Sequence, residues 1–149
     1  MEVEDTTHPN RKDEYLFVYG TLRKDASNVM SQVLAKHARF VGGATFQGKL
    51  FDLGNYPGTI SSDSPQDLVH GEVYALEPMI RNQVLAILDE YEGCSFSRET
   101  LSEFRREHVT VTLDDGRSIS SWIYLYNLSE IGTPIPSGDY SRYLKVKGI

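Results

Sequence analysis

The carboxylate of Glu92 stands where a helix has little use for one. In the segment Leu85-Ala86-Ile87-Leu88-Asp89-Glu90-Tyr91-Glu92-Gly93, a turn of about 100° per residue puts Ile80, Val84, Ile87, Leu88 and Tyr91 on one face. Glu92 falls one turn beyond Leu88, inside that apolar arc. Glu90 points to the opposite, solvated side, and Asp89 sits on the border. Glu92 also lies in the last turn, where unpaired carbonyls make the local field negative. Burial and this field both disfavour the ionised form and push its pKa upward, and a pKa near neutrality suits a general base. If the helix frays at Tyr91, Glu92 is instead an ordinary solvated residue.

A second stretch offers the complementary chemistry. Tyr15-Leu16-Phe17-Val18-Tyr19 has the composition of a fully buried strand, and it stops at Gly20, followed by Thr21, Leu22 and Arg23. A glycine there lets the chain turn sharply or lets a ligand approach the backbone. The N–H groups of Thr21 and Leu22 then lie past the strand end, able to point at a carboxylate or a polarised carbonyl oxygen. An ordinary first strand and turn has the same pattern. Tyr126 ends another strand-like run and could present its hydroxyl at a cleft. Cys94 has no histidine placed by sequence to activate it. The chain has no Gly-x-Ser-x-Gly elbow, P-loop or Gly-x-Gly-x-x-Gly, so no motif points to a serine hydrolase or a nucleotide enzyme.

These groups need elements to hold them. Residues 1–13 are polar and acidic and read as a flexible leader, with a single domain expected over 14–149. Asn28 to His37 has apolar residues at helical spacing. Residues 40–44 read as irregular, and 46–53 as a strand distorted at Gly48. Gly54-Asn55-Tyr56-Pro57-Gly58 is a turn by composition, and 61–66 a polar loop. Leu68 to Leu76 alternates as a strand, with Val69, Val73 and Ala75 on one face and His70, Glu72 and Tyr74 on the other. Pro78 then opens a helix from Met79 to Glu92, closed by Gly93. Strands at 108–113 and 119–126 flank Asp114-Asp115-Gly116, a hairpin turn. This order is neither a βαβ alternation nor all-β, so it predicts an α+β domain, mixed, with one curved or closed barrel-like sheet and helices packed on it.

Composition narrows the function. A net charge of −6 over 149 residues argues against nucleic-acid binding, because no basic face offsets phosphate repulsion. No apolar run of membrane-spanning length and no N-terminal signal is visible. The lone cysteine cannot form an internal disulfide, which fits a reducing cytoplasm. The four histidines, His8, His37, His70 and His108, lack the spacing of metal ligands, so neither metal nor cofactor is expected.

Val18-Tyr19-Gly20-Thr21-Leu22, followed later by Leu88-Asp89-x-Tyr91-Glu92-Gly93, resembles the γ-glutamylcyclotransferase-like proteins, and most closely their γ-glutamylamine cyclotransferase and AIG2-like branch. Tyr56-Pro57-Gly58, Val69-x-Gly71-Glu72-Val73-Tyr74, Arg106 leading into Val109-Thr110-Val111, and Ser137-Gly138-Asp139-Tyr140 match in the same order. The resemblance implies a barrel-like α+β fold with a cavity at one mouth. It implies that residues Tyr19 to Leu22 bind the γ-glutamyl group, and that Glu92 is the proton acceptor. The implied reaction releases 5-oxoproline and a free amine or amino acid from a small γ-glutamyl compound, with no cofactor. Where members of this group commonly have Tyr-x-Arg, this chain has Phe104-Arg105-Arg106, which removes a hydroxyl, and residues 94–103 look longer than usual. Three readings follow: a cyclotransferase acting on γ-glutamyl amines or amino acids, an enzyme of the same fold removing a γ-glutamyl group from a biosynthetic intermediate, and a non-catalytic γ-glutamyl-binding or regulatory relative. The sequence leaves monomer and weak dimer undecided.

Overall fold

The apolar run at 15–18 and the alternating run at 68–76 pair with each other at the middle of one sheet. The structure, a computed structural model, describes residues 14–20, 29–54, 56–91, 102–130 and 132–147. Strand β1 (Glu14–Val18) is antiparallel to β4 (Leu68–Leu76) and parallel to β6 (Ser118–Tyr126). The remaining strands are β2 (Ala38–Asp52), β3 (Pro57–Ser61), β5 (Phe104–Leu113) and the short β7 (Thr133–Pro134). Their order is β3-β2-β4-β1-β6-β5, and β5 returns to β2 at Ala44↔Leu113 and Thr45↔Thr112. That last pairing closes β2-β4-β1-β6-β5 into a barrel, so the fold is α+β with a barrel-like sheet, as the order of elements predicts. Closure also removes the unpaired strand edges of an open sheet.

Alternation along β1 sorts the core into two layers. Phe17 and Tyr19 point into the barrel with Phe46, Val69, Val73, Val111, Ile123 and Leu125. Leu16 and Val18 point outward, beneath helices α1 (Val29–His37) and α2 (Arg81–Tyr91), with Leu34, Tyr74, Leu76, Val84, Leu85, Leu88 and Tyr124. Both faces of β1 are therefore covered, which is why its sequence is continuously apolar. Each large side chain buried here contributes about 1.5–3 kcal/mol.

Several elements differ from the sequence reading, among them β3, whose first two residues the composition assigned to a turn. Residues 40–44 belong to the single long strand β2, and its irregularity is a bulge between Phe40 and Gly42, not a distortion at Gly48. Gly42-Gly43 lets the strand bend there as it crosses from β4 to β5. Pro78 sits in a turn and α2 starts at Arg81. Residues Tyr140–Lys147, to which no element was assigned above, form α3, seated by Tyr140 against the barrel core. The hairpin at 114–116 is as expected, with the Leu113 N–H donating to the Arg117 carbonyl at 2.7 Å. The leader 1–13 lies outside the described residues.

Candidate functional site

At the exit of β1 the chain leaves the barrel beside the start of β3. Tyr19 is buried, and its hydroxyl donates to the main-chain oxygen of Tyr124 on β6 at 2.6 Å. Gly20 follows, and a Cβ built on it falls 2.5 Å from Pro57 Cγ. A side chain at position 20 would have to displace the proline ring, so the glycine is required by close approach. A Cβ on the next residue of β3, Gly58, would lie 3.1 Å from Tyr126 Cβ and 2.6 Å from Leu53 Cδ1. Gly20 and Tyr126, far apart in sequence, are thus brought to the two sides of one Pro57-Gly58 step.

Aromatic rings extend this end of the sheet. Phe104 meets Tyr126 edge-on at 5.7 Å and lies 6.2 Å from Tyr56. The Tyr56 hydroxyl donates to the Glu103 carboxylate. Phe104 itself has no hydroxyl, and the neighbouring ring that carries one is Tyr56, from the β2–β3 turn. Burial first, then the nearby Glu103 and Glu130 charges, push the Tyr126 hydroxyl above its ordinary pKa. It therefore stays protonated at neutral pH and remains a donor.

The inward stripe of α2 is Val84, Leu85, Leu88 and Asp89, whereas Ile87 and Tyr91 are each 45% exposed. The face predicted from Ile80, Val84, Ile87, Leu88 and Tyr91 is rotated toward Asp89. The reason is a polar partner set that a hydrophobicity pattern does not register. Asp89 Oδ1 accepts from Arg106 Nε at 2.8 Å and from the Tyr124 hydroxyl at 2.6 Å, and Oδ2 accepts from Arg106 Nη2 at 3.1 Å. The Arg106 guanidinium lies 4.3 Å from the centre of the Trp122 ring, and Trp122 Nε1 donates to Glu14 at 2.7 Å. Arg81, Asn82, Leu85 and Ala86 of α2 share an open cleft of about 530 Å³ with Glu14, His108 and Trp122.

Asp89, Tyr124, Glu103 and Tyr56 were not singled out as site residues from sequence. Asp89, Tyr56 and Arg106 each stand in a motif shared with the resembling proteins, but a motif does not say which residues meet. Nothing local pairs Arg106 with Asp89. Of the residues expected to act, the structure describes Tyr19, Gly20 and Tyr126, whereas Thr21, Leu22 and Glu92 lie outside the described residues, as does Cys94. Among the described residues no group of three or more His, Cys, Asp or Glu could hold a metal ion, and no helix is long and apolar enough to cross a membrane.

Comparison with known proteins bears on this arrangement. The family model described as Gamma-glutamyl cyclotransferase, AIG2-like matches residues 16–142. A protein of Methanocaldococcus jannaschii, provisionally named a gamma-glutamylcyclotransferase, is 32% identical over 131 residues, covering 87% of this chain and 98% of its own. A Niallia circulans protein named Gamma-L-glutamyl-butirosin B gamma-glutamyl cyclotransferase is 32% identical over 113 residues, covering 75% of this chain and 66% of its own. Among solved structures, YkqA from Bacillus subtilis matches with a TM-score of 0.69 at 27% identity over 92% of this chain, which spans 43% of YkqA. A mouse AIG2-like protein matches with a TM-score of 0.59 at 25% identity over 76% of each chain.

Proposed function

The chain belongs to the gamma-glutamyl cyclotransferase, AIG2-like family, and from that premise we propose that residues 14–149 act as one cyclotransferase unit on small γ-glutamyl amides, with Glu92 as the proton carrier. The α-amine of the γ-glutamyl group attacks its own side-chain carbonyl carbon. A carbon–nitrogen bond forms within the new five-membered ring, and the bond to the leaving amine breaks. Glu92 accepts the proton released by the attacking nitrogen and delivers it to the departing one. The products are 5-oxoproline and the free amine, and no water, metal or redox partner enters the balance. The N–H groups after Tyr19 hold the substrate carboxylate or the developing oxyanion, and so fold the substrate into a reactive geometry.

The observation that carries this reading is the inward stripe of α2. Leu88 and Asp89 are both buried, and Glu92 follows them in sequence at the i+4 and i+3 spacings that share a helix face. The Arg106–Tyr124 pair that holds Asp89 is followed, one strand repeat along, by the Phe104–Tyr126 pair. Tyr126 in turn packs at the Pro57-Gly58 step against which Gly20 lies. Glu92 itself lies outside the described residues, and its role is assigned from its spacing to Leu88 and Asp89 in sequence.

A second reading concerns the leaving group. The Niallia circulans relative is named for one γ-glutamyl compound, gamma-L-glutamyl-butirosin B, and it is as similar to this chain in percentage identity as the Methanocaldococcus jannaschii protein. Release of a γ-glutamyl group from a biosynthetic intermediate is therefore kept beside the γ-glutamyl amine reading. One assay separates them: 5-oxoproline release from γ-glutamyl-ε-lysine, γ-glutamyl-alanine, glutathione and a bulky γ-glutamylated amine, by wild type and Glu92→Gln. The expected outcome is turnover of at least one substrate and its loss by a factor of at least ~100 in Glu92→Gln. Turnover of none of them defeats the catalytic reading, and full turnover in Glu92→Gln shows that another group carries the proton.

A further inference from the structure

We infer that Asp89, Arg106 and Tyr124 form a positioning network that sets the separation between the turn after β1 and the end of α2, with Tyr124 as its shared member. The inference rests on the Glu92 reading above and adds residues that act through it.

Tyr124 is bonded in two directions at once. Its main-chain oxygen accepts from the Tyr19 hydroxyl at 2.6 Å, inside the barrel. Its own hydroxyl donates to Asp89 Oδ1 at 2.6 Å, on the helix-covered face. Tyr19 immediately precedes the Gly20 turn, and Asp89 lies three residues before Glu92. One residue of β6 therefore ties together the two segments to which the binding turn and the proton carrier are assigned. Arg106 adds a two-point grip on the same carboxylate. A planar fork on a carboxylate fixes rotation as well as distance. The guanidinium is held in turn by its stacking on Trp122.

This network has no local justification in the helix. Asp89 sits in the second half of α2, where the macrodipole disfavours an anion. A buried ion pair is in general no more stabilising than well-packed apolar side chains of similar volume, so it is weak evidence for a stability role alone. Its distinguishing property is directional. An apolar stripe tolerates a small rotation or slide of the helix, whereas three hydrogen bonds to one carboxylate do not. Misplacing a catalytic group by about 1 Å costs on the order of 100-fold in rate.

The test is steady-state 5-oxoproline release by the full chain from the best substrate of the panel above, with kcat and KM measured separately and thermal midpoints recorded. Glu92→Gln, Tyr124→Phe, Asp89→Asn and the barrel-core variant Val111→Ala are compared with wild type. Tyr124→Phe removes one oxygen and keeps the ring, so it decides the matter if Asp89→Asn fails to fold. The expected result is an inactive Glu92→Gln. For Tyr124→Phe and Asp89→Asn, kcat falls by about 10–100-fold while KM stays within about twofold. Val111→Ala loses thermal midpoint and keeps its kcat. An inactive Glu92→Gln beside wild-type kcat in Tyr124→Phe overturns the network while leaving the general base in place. A kcat in Val111→Ala that falls as far as in Tyr124→Phe reduces the network to ordinary stability and also overturns it. Full turnover in Glu92→Gln removes the general-base reading and the network with it, a pattern distinct from the other two.

Discussion

Two aspartates in this protein are built into similar surroundings and do different work. Asp89 accepts from the Tyr124 hydroxyl at 2.6 Å and is paired with Arg106, and Asp52 accepts from the Tyr143 hydroxyl at 2.6 Å and lies 3.9 Å from Lys147 Nζ. The first joins α2 to β5 and β6, and the second joins α3 to the end of β2. They differ in the cation. Arg106 has 14% of its side chain exposed and grips with two nitrogens, whereas Lys147 is 47% exposed and reaches only one oxygen from a distance. A forked, desolvated partner fixes a geometry, while a solvated ammonium adds a small and screened attraction. The Asp52 cluster fastens a terminal helix, and the Asp89 cluster holds the helix that leads to Glu92.

The largest effect expected from breaking the comparison is at Arg106. Arg106→Met leaves the Asp89 carboxylate buried without its charge partner and lowers stability by about 3 kcal/mol in urea unfolding. Replacing both, Asp89→Leu with Arg106→Met, brings stability back to within about 1–2 kcal/mol of wild type. Turnover in that double variant stays low, because the pair is needed for direction.

A smaller effect is expected at the other cluster. Tyr143→Phe removes the hydrogen bond to Asp52 and lowers the urea midpoint slightly, with kcat unchanged in the 5-oxoproline assay. The pH dependence sharpens this. The Tyr143 hydroxyl, then the Gly54 N–H at 2.8 Å, hold the Asp52 carboxyl below its ordinary pKa against the opposing effect of burial. A lowered folded-state pKa means the unfolded chain takes up its proton first as pH falls. The stabilisation is thus present above about pH 4 and is lost as pH falls further. The difference in urea midpoint between wild type and Asp52→Asn is expected to close over that acidic range. The same hydrogen bond raises the Tyr143 pKa, so its contribution survives until pH rises above about 10. The smallest effect is at Lys147, where Lys147→Met changes stability by no more than about 0.5 kcal/mol, and 1 M salt erases the difference.

Much of the architecture was legible because it is written in local pattern. The continuous apolar run of β1 reports cover on both faces. The alternation of β4 gives its bounds, Leu68 to Leu76, and the Asp114-Asp115-Gly116 turn marks the hairpin between β5 and β6. The face of α2 was less legible. Counting Asp89 as polar turned the inward stripe away from it and toward Ile87 and Tyr91, both of which are substantially exposed. The long β2 was hidden for a related reason, since its Gly42-Gly43 bulge reads locally as a break. Gly20 could be marked as a place of close approach, but the sequence held no sign that Pro57 is what approaches it.

The amino-acid sequence by itself determined the family, the strand and hairpin segments whose hydrophobic period is unambiguous, and the two motifs around Gly20 and Glu92. Those properties depend on neighbours a few residues apart, and so on side-chain period and turn chemistry. Only the tertiary structure decided that β5 closes onto β2, that Gly20 and Tyr126 share the Pro57-Gly58 step, and that Asp89 is buried. A carboxylate is buried only if charge and hydrogen-bond partners meet it there. Its partners, Arg106 and Tyr124, are 17 and 35 residues away, on strands whose position is set by barrel closure and not by any signal near Asp89.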